Sequence, residues 1–136
     1  MELVALSIPA GWQVVINHFY QVTPAQCLNA NGGLGYPFYE DMLLLRNPSL
    51  RRTIDLGWMP EGAADGGYHL QLLAWQAAPK LEPTPKQTIT QRVGGHTLTY
   101  RLSPPIEEDW QQPLAIYSAT DWQAVRDKIH QFLQPT

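Results

Sequence analysis

Apolar and polar residues alternate in two neighbouring runs of the chain, residues 53–59 and 68–75. The residues two positions apart that share the apolar face are Ile54, Leu56 and Trp58 in the first run, and Tyr68, Leu70, Leu72 and Ala74 in the second. A two-residue period is typical of strands that are buried on one face. The pattern therefore predicts a β-hairpin whose two strands are joined by an acidic, glycine-rich loop at residues 60–67.

The remaining apolar segments predict further strands. Residues 12–22 predict one half-buried strand, with Trp12, Val14, Ile16, His18, Tyr20 and Val22 on a single face. Residues 39–46 predict a central strand, for which a short helix is the alternative. Residues 2–8 fit either a strand or a helical turn. Residues 114–117 predict a last short extended piece.

A second hairpin has the clearest local pattern. The runs 88–93 and 96–102 are separated by Gly94-Gly95, a two-residue connection that tight hairpin turns favour. Folding about this turn pairs Val93 with His96, Gln91 with Leu98 and Ile89 with Tyr100. The other face is then wholly polar, formed by Thr88, Thr90, Arg92, Thr97, Thr99 and Arg101. Residues 77–86 contain three prolines and predict a linker.

The period changes to that of a helix near the end of the sequence. Apolar residues recur at helical spacing at Trp122, Val125, Ile129, Phe132 and Leu133. They predict an amphipathic helix over residues 121–133, with Thr120 as its N-cap. A single helix of this kind covers one face of an antiparallel sheet. The predicted fold class is α+β, with a mainly antiparallel, hairpin-rich sheet of five to seven strands, in one domain spanning residues 1–136.

Composition narrows the classes of partner. Nine Lys and Arg residues against twelve Asp and Glu residues give a net charge of −3, and no window has the basic run that binding to a phosphate backbone needs. We therefore expect no nucleic-acid partner. The single cysteine excludes a disulfide-built mini-domain, and no leader peptide or bilayer span is apparent. A cytoplasmic protein with no membrane partner is the expectation.

The residues that usually carry catalysis do not form a recognisable motif. The four histidines lack the spacing of a local metal site, and nothing beside Cys27 would activate its thiol. We therefore predict no catalytic residues, no metal and no cofactor. Glu40 and Asp41 would point to opposite faces if their segment is a strand. The acids Asp55, Glu61 and Asp65 bracket the first hairpin loop and are more typical of solvated turn residues than of a cation site.

Two stretches resemble small bacterial immunity-type proteins of polymorphic toxin systems. They are IDLGWMPEG followed by DGGYHLQL, at residues 54–62 and 65–72, and DWQQPLAIYSATDWQAVRDKIHQFL at residues 109–133. The shared pattern is strand, Gly-Trp, acidic loop, strand, and then a Trp-x-x-Pro-Leu entry to an amphipathic helix. The resemblance implies a cytoplasmic binding module that blocks a cognate toxin. It assigns no binding residues.

The sequence thus favours a non-enzymatic binding protein that uses an exposed polar sheet face and the acidic loop at 60–67. The predicted binding residues are Asp55, Trp58, Glu61, Asp65 and Tyr68. One alternative is a ligand-binding or enzymatic domain with a pocket between sheet and helix, or under the loop at residues 25–37, that uses His18, Tyr20 and Glu40. Another alternative is a homo-oligomeric structural protein that pairs through an open sheet edge.

Overall fold

The computed structural model describes residues 1–76, 88–93, 96–101 and 106–134, with 88–93 and 96–101 described by their backbones. The chain forms two compact units, one made of Met1–Trp75 and Glu108–Thr136 and the other of Gln76–Glu107. The strands are β1 (Gln13–Asn17), β2 (Leu43–Asn47), β3 (Arg52–Met59), β4 (Gly67–Ala74), β5 (Thr88–Val93), β6 (His96–Arg101) and β7 (Ala115–Ala119). A 3-10 helix spans Pro24–Cys27, and the α-helix α1 spans Trp122–Leu133.

The first unit is built on an antiparallel sheet with the strand order β1-β2-β3-β4-β7, against which α1 packs. This is an α+β fold, as the sequence predicts. The hairpin of β3 and β4 lies at its centre and pairs Leu56 with Leu70 and Trp58 with Tyr68. These four side chains are buried, so the alternation did identify the face that forms the core. No helix in the part of the chain that the structure describes is long and apolar enough to cross a membrane.

The segment predicted at 39–46 is a strand, and the helical alternative is wrong. The strand β2 begins later than predicted, at Leu43, and lies between β1 and β3, with Leu43 and Leu45 fully buried. Residues 2–8 form neither a helix nor a regular strand and make one isolated bridge, from Leu3 to Tyr20.

The prediction of one continuous strand over residues 12–22 is wrong. Only β1 is regular, and it carries a bulge because Val14 pairs with Leu45 while Ile16 pairs with Leu44. The extra residue shifts which side chains face the core. Ile16, predicted to share a face with Val14, pairs with Leu44 on the side of the sheet that carries Asp55, whereas Phe19, on the opposite phase, is completely buried.

The C-terminal helix is confirmed, although its N-cap is Asp121 and not Thr120. The Asp121 carboxylate accepts a hydrogen bond from the backbone N–H of Gln123 at 3.1 Å and so caps the first turn. Val125, Ile129 and Leu133 are buried against the sheet. The helix contacts both β4 and β7.

The second unit contains the predicted Gly-Gly hairpin. Strands β5 and β6 pair in the expected register, with Val93 opposite His96, Gln91 opposite Leu98 and Ile89 opposite Tyr100. The turn itself, the side chains of the predicted polar face and the linker at 77–86 lie outside the described residues.

The sheet face away from α1 contains a buried polar network around Glu108. Trp75 Nε1 donates to Thr53 Oγ1 at 2.8 Å, and Thr53 Oγ1 donates to Glu108 Oε1 at 3.0 Å. Arg46 Nε donates to the same carboxylate oxygen at 2.8 Å. Glu108 is only 7% exposed, and Thr53 and Arg46 replace the hydrogen bonds to water that its carboxylate loses on burial. The network fastens the segment that precedes β7 across strands β2, β3 and β4.

Removal of the Glu108 carboxylate should destabilise the fold strongly. Glu108→Ala leaves the Arg46 guanidinium and the Thr53 hydroxyl without their acceptor, which should lower the free energy of unfolding by about 3 kcal/mol. Asp127→Asn is the control, because the Arg126–Asp127 pair is exposed and should contribute less than about 0.5 kcal/mol. Urea denaturation measures both, and equal losses in the two variants would contradict the prediction.

Candidate functional site

A groove crosses the sheet face away from α1, and we call it the acidic groove. It has a volume of about 410 Å³ and is lined by Glu40, Asp41, Asp55, Gly57, Met59, His69, Gln71 and Trp110. Its floor comes from the polar positions of β3 and β4, which alternate with the buried ones. Asp55 lies directly across from Gln71, and Gly57 lies across from His69.

Glu40 and Asp41 reach the groove because the chain loops out just before β2. Met42 N–H donates to Leu56 O at 2.9 Å, and Trp58 N–H donates to Tyr39 O at 2.8 Å. The residues that pair with β3 are therefore those on either side of the two acids. The expectation that they point to opposite faces required a strand at these two positions, but β2 begins only at Leu43, and both acids line the same groove.

Gly57 makes this path possible. A Cβ at this position would overlap the carbonyl oxygen of Glu40. The looped segment is also held from its other side, because the Glu40 N–H donates to Glu61 Oε1 at 3.0 Å. The acidic rim of the groove is thus fixed by the backbone.

Asp55 is a carboxylate that this environment affects strongly. Its pKa is raised from the ordinary value of 3.8 to about 6, first by partial burial and then by the negative charges of neighbouring carboxylates, in the order Asp41, Glu108 and Glu40. Within the described part of the chain, Asp55 has no hydrogen bond or ion pair that would offset this cost. It is therefore an acid on the groove floor without a partner.

The adjacent strand contributes a fixed polar pair. Gln71 Nε2 and His69 Nε2 are 2.8 Å apart. An amide nitrogen can only donate, so Gln71 is the donor and His69 Nε2 the acceptor. The carbonyl oxygen of Gln71, the residue that pairs with Asp55 across the strands, accepts no hydrogen bond from the described residues and is a further acceptor.

The five residues predicted to bind do not form one cluster. Asp55 lies in the acidic groove, and Glu61 supports the rim through Glu40. Asp65 is exposed in the hairpin loop and does not line the groove. Trp58 and Tyr68 are core side chains, with exposures of 0% and 1%, which a partner on the surface would not contact. Trp58 Nε1 instead donates to Ala63 O at 2.8 Å and anchors the hairpin loop from below.

The residues predicted for the alternative pocket do not lie together either: His18 and Tyr20 surround Tyr36, whereas Glu40 lies elsewhere. Tyr36 lies at the centre of an exposed aromatic group, with its hydroxyl 2.8 Å from His18 Nδ1 and donating to the Tyr20 hydroxyl at 3.0 Å. The hydrogen bond to Tyr20 is the largest cause that raises the pKa of Tyr36 to about 12, which makes it a poor proton donor in chemistry at neutral pH. Glu40 does not join this group and belongs to the acidic groove.

Two other cavities lie at the two places where the alternative interpretation predicts a pocket. One, of about 690 Å³, is partly lined by residues of the glycine-rich loop, including Cys27 and Tyr36. Burial raises the pKa of the Cys27 thiol, which disfavours the thiolate that a nucleophile requires. The other, of about 230 Å³, lies between the sheet and the end of α1, with Arg52 and Phe132 on its walls.

Asp41, His69, Gln71 and Trp110 also line the groove and were not predicted as site residues. His69 and Gln71 could have been predicted from the hairpin register, because they lie on the polar face of β4, across from Gly57 and Asp55. No sequence pattern identifies Trp110 as a groove residue, because its position depends on the long-range hydrogen bonds that hold Glu108 to the sheet. No three His, Cys, Asp or Glu side chains among residues 1–76 and 106–134 are placed to hold a metal ion.

Comparison of the chain with protein-family models, curated proteins and solved structures finds no match. The function must therefore be inferred from the chemistry of the site itself.

A methyl group at position 57 should disrupt the groove and the fold together. Gly57→Ala forces the Glu40 backbone away from β3, and we expect the free energy of unfolding to fall by about 3 kcal/mol. Gly67→Ala is a matched strand control, since its Cβ would lie 3.3 Å from Ala119 O and should cost less than about 1 kcal/mol. Chemical denaturation compares the two, and a tolerant Gly57→Ala variant would show that this close approach is not needed.

Asp55 should make stability depend on pH. Its folded pKa of about 6 lies above its ordinary value of 3.8. The free energy of unfolding should therefore be highest below about pH 4 and fall as the pH rises through 6. Asp55→Asn should therefore raise the free energy of unfolding at pH 7.5 by about 1–2 kcal/mol, discounted for solvent screening, and leave it nearly unchanged at pH 4. Urea denaturation at both pH values checks this, and a gain of the same size at both would contradict the assigned role.

Proposed function

We propose that this protein is a non-enzymatic, cytoplasmic binding protein that holds a basic segment of another protein in its acidic groove. The observation that carries this proposal is the convergence of three carboxylates, those of Glu40, Asp41 and Asp55, on one rigid sheet face. Groups of like charge repel one another in the free protein, and a basic partner would relieve that repulsion.

The rim of the groove supports a protein partner over a small ion. Met59 is 53% exposed and Trp110 is 51% exposed, and both line the groove beside the acids. Exposed Trp residues are enriched among the side chains that contribute most to protein interfaces. Carboxylates next to apolar side chains suit a segment that combines Arg or Lys with apolar residues.

The supporting elements favour a preformed surface. The floor belongs to the central strands β3 and β4, whose other faces are buried in the core, and the rim is held by backbone hydrogen bonds. A rigid binding surface loses little conformational entropy on association. The net charge of −3 would also speed the approach of a basic partner at low salt.

An immunity-type inhibitor is the form of this function that we propose, in agreement with the sequence resemblance. Toxins that act on nucleic acids have basic clefts, and an acidic surface can occupy such a cleft by electrostatic complementarity. The hairpin loop at 60–67 extends the acidic surface, because Glu61 contacts the groove rim directly.

The proposal is tested with the product of the gene that lies beside the gene of this protein. The wild-type protein should form a complex with that product on size exclusion and restore growth of a bacterial host that expresses it. The double variant Glu40→Gln/Asp41→Asn should weaken the complex at least tenfold in calorimetry, because it removes two carboxylates from the groove. Failure of the wild-type protein both to bind and to protect would exclude the immunity function.

Two matched variants control for net charge. Glu2→Gln/Asp127→Asn removes one Glu and one Asp from exposed positions outside the groove and should change the affinity less than twofold. Glu61→Gln/Asp65→Asn removes the same charge from the hairpin loop and measures its share of the interface. Equal losses in the groove variant and the Glu2/Asp127 variant would show that overall charge, not the groove, governs binding.

A further inference from the structure

We propose that the acidic groove is a pocket for one arginine side chain of the partner, whose guanidinium pairs with Asp55 and lies against the indole of Trp110. The inference rests on the proposed binding function and specifies the group that enters the groove.

The first reason is the contrast between two carboxylates on the same sheet face. Glu108 is buried and has its cation, Arg46, at 2.8 Å, with Thr53 as a second donor. Asp55 is also partly buried, yet within the described residues it has neither a cation nor a hydrogen-bond donor. Carboxylates taken out of water are normally paired, so the missing donor for Asp55 is expected to come from outside the chain.

The second reason is the number and arrangement of acceptors. Asp55 and the free carbonyl oxygen of Gln71 lie on facing strands, and Glu40 and Asp41 stand on the rim. A guanidinium carries five N–H donors in one plane and can serve several acceptors at once. The lysine ammonium is a compact charge with three donors and a stronger hold on its water.

The third reason is the aromatic wall. Trp110 is half exposed and lines the groove together with the acids, while its backbone is fixed by a hydrogen bond from its N–H to Glu108 O at 3.2 Å. A planar guanidinium stacks on an indole, and this contact favours arginine over lysine. The volume of about 410 Å³ accommodates a side chain with some water and not a folded element.

The test uses two peptides of equal charge, acetyl-Arg-Arg-Arg-amide and acetyl-Lys-Lys-Lys-amide, titrated into the full chain and followed by NMR. We expect the arginine peptide to bind at least fivefold more tightly and to perturb the Trp110 indole and the Asp55 carboxyl. The pKa of Asp55, near 6 in the free protein, should fall by at least one unit in the complex.

Variants assign the preference to its residues. Asp55→Asn and Trp110→Ala should each remove the arginine preference, whereas Asp127→Asn, an exposed acid on α1, should keep it. Asp55→Glu retains the charge and should retain part of the preference, which separates loss of the carboxylate from loss of the fold.

Three outcomes would overturn the inference: equal affinity for the two peptides, no binding of either peptide, or a free-protein pKa of Asp55 at or below its ordinary value, which would mean that its cation is already present. Equal affinities that are both lost in Glu40→Gln/Asp41→Asn would leave the proposed function intact and reject only the arginine pocket. Failure of the proposed function would show in a separate experiment, the binding and protection test with the product of the neighbouring gene.

Discussion

The backbone of Glu40 lies directly over Gly57, and a side chain at position 57 would hold the two segments apart. This one close approach sets the path of the chain before β2 and brings Glu40 and Asp41 over the polar side of β3. The hydrogen bonds from Met42 to Leu56 and from Trp58 to Tyr39 then close the loop on either side. A glycine in a strand interior usually weakens the strand, and here it is required by the neighbouring backbone.

Strand β3 is covered on both faces by different means. On one side, Ile54, Leu56 and Trp58 pack in the apolar core beneath α1. On the other side, Thr53 belongs to the Glu108 network, while Asp55, two residues further along, makes no hydrogen bond or ion pair within the described residues. The same face thus contains a satisfied carboxylate at one end and an unsatisfied one at the other. The first stabilises the fold, and the second is the carboxylate that we propose pairs with a partner.

The parts of the fold that follow from local periodicity could be predicted from the sequence. The β3–β4 hairpin, the register of β5 and β6 and the amphipathic helix each depend on residues close together in the chain. The bulge in β1 could not be predicted, since a single extra residue at Val15 leaves no trace in composition yet moves Ile16 to the opposite face from Val14. The acidic groove was predictable in part: Asp55 was singled out, but Asp41 and Trp110 reach it through long-range contacts that only the folded chain defines.

The bulge in β1 also has a consequence for assembly. Within the described sheet, β1 and β7 are the two outer strands, and each presents a row of backbone groups on its outer side. On β1 that row is short and interrupted at Val15, so an incoming strand would lose register after two residues. Growth of the sheet by strand addition is thereby obstructed at the β1 edge. Of the two outer strands of this sheet, β7 is the one that offers a second copy of the chain a regular five-residue template.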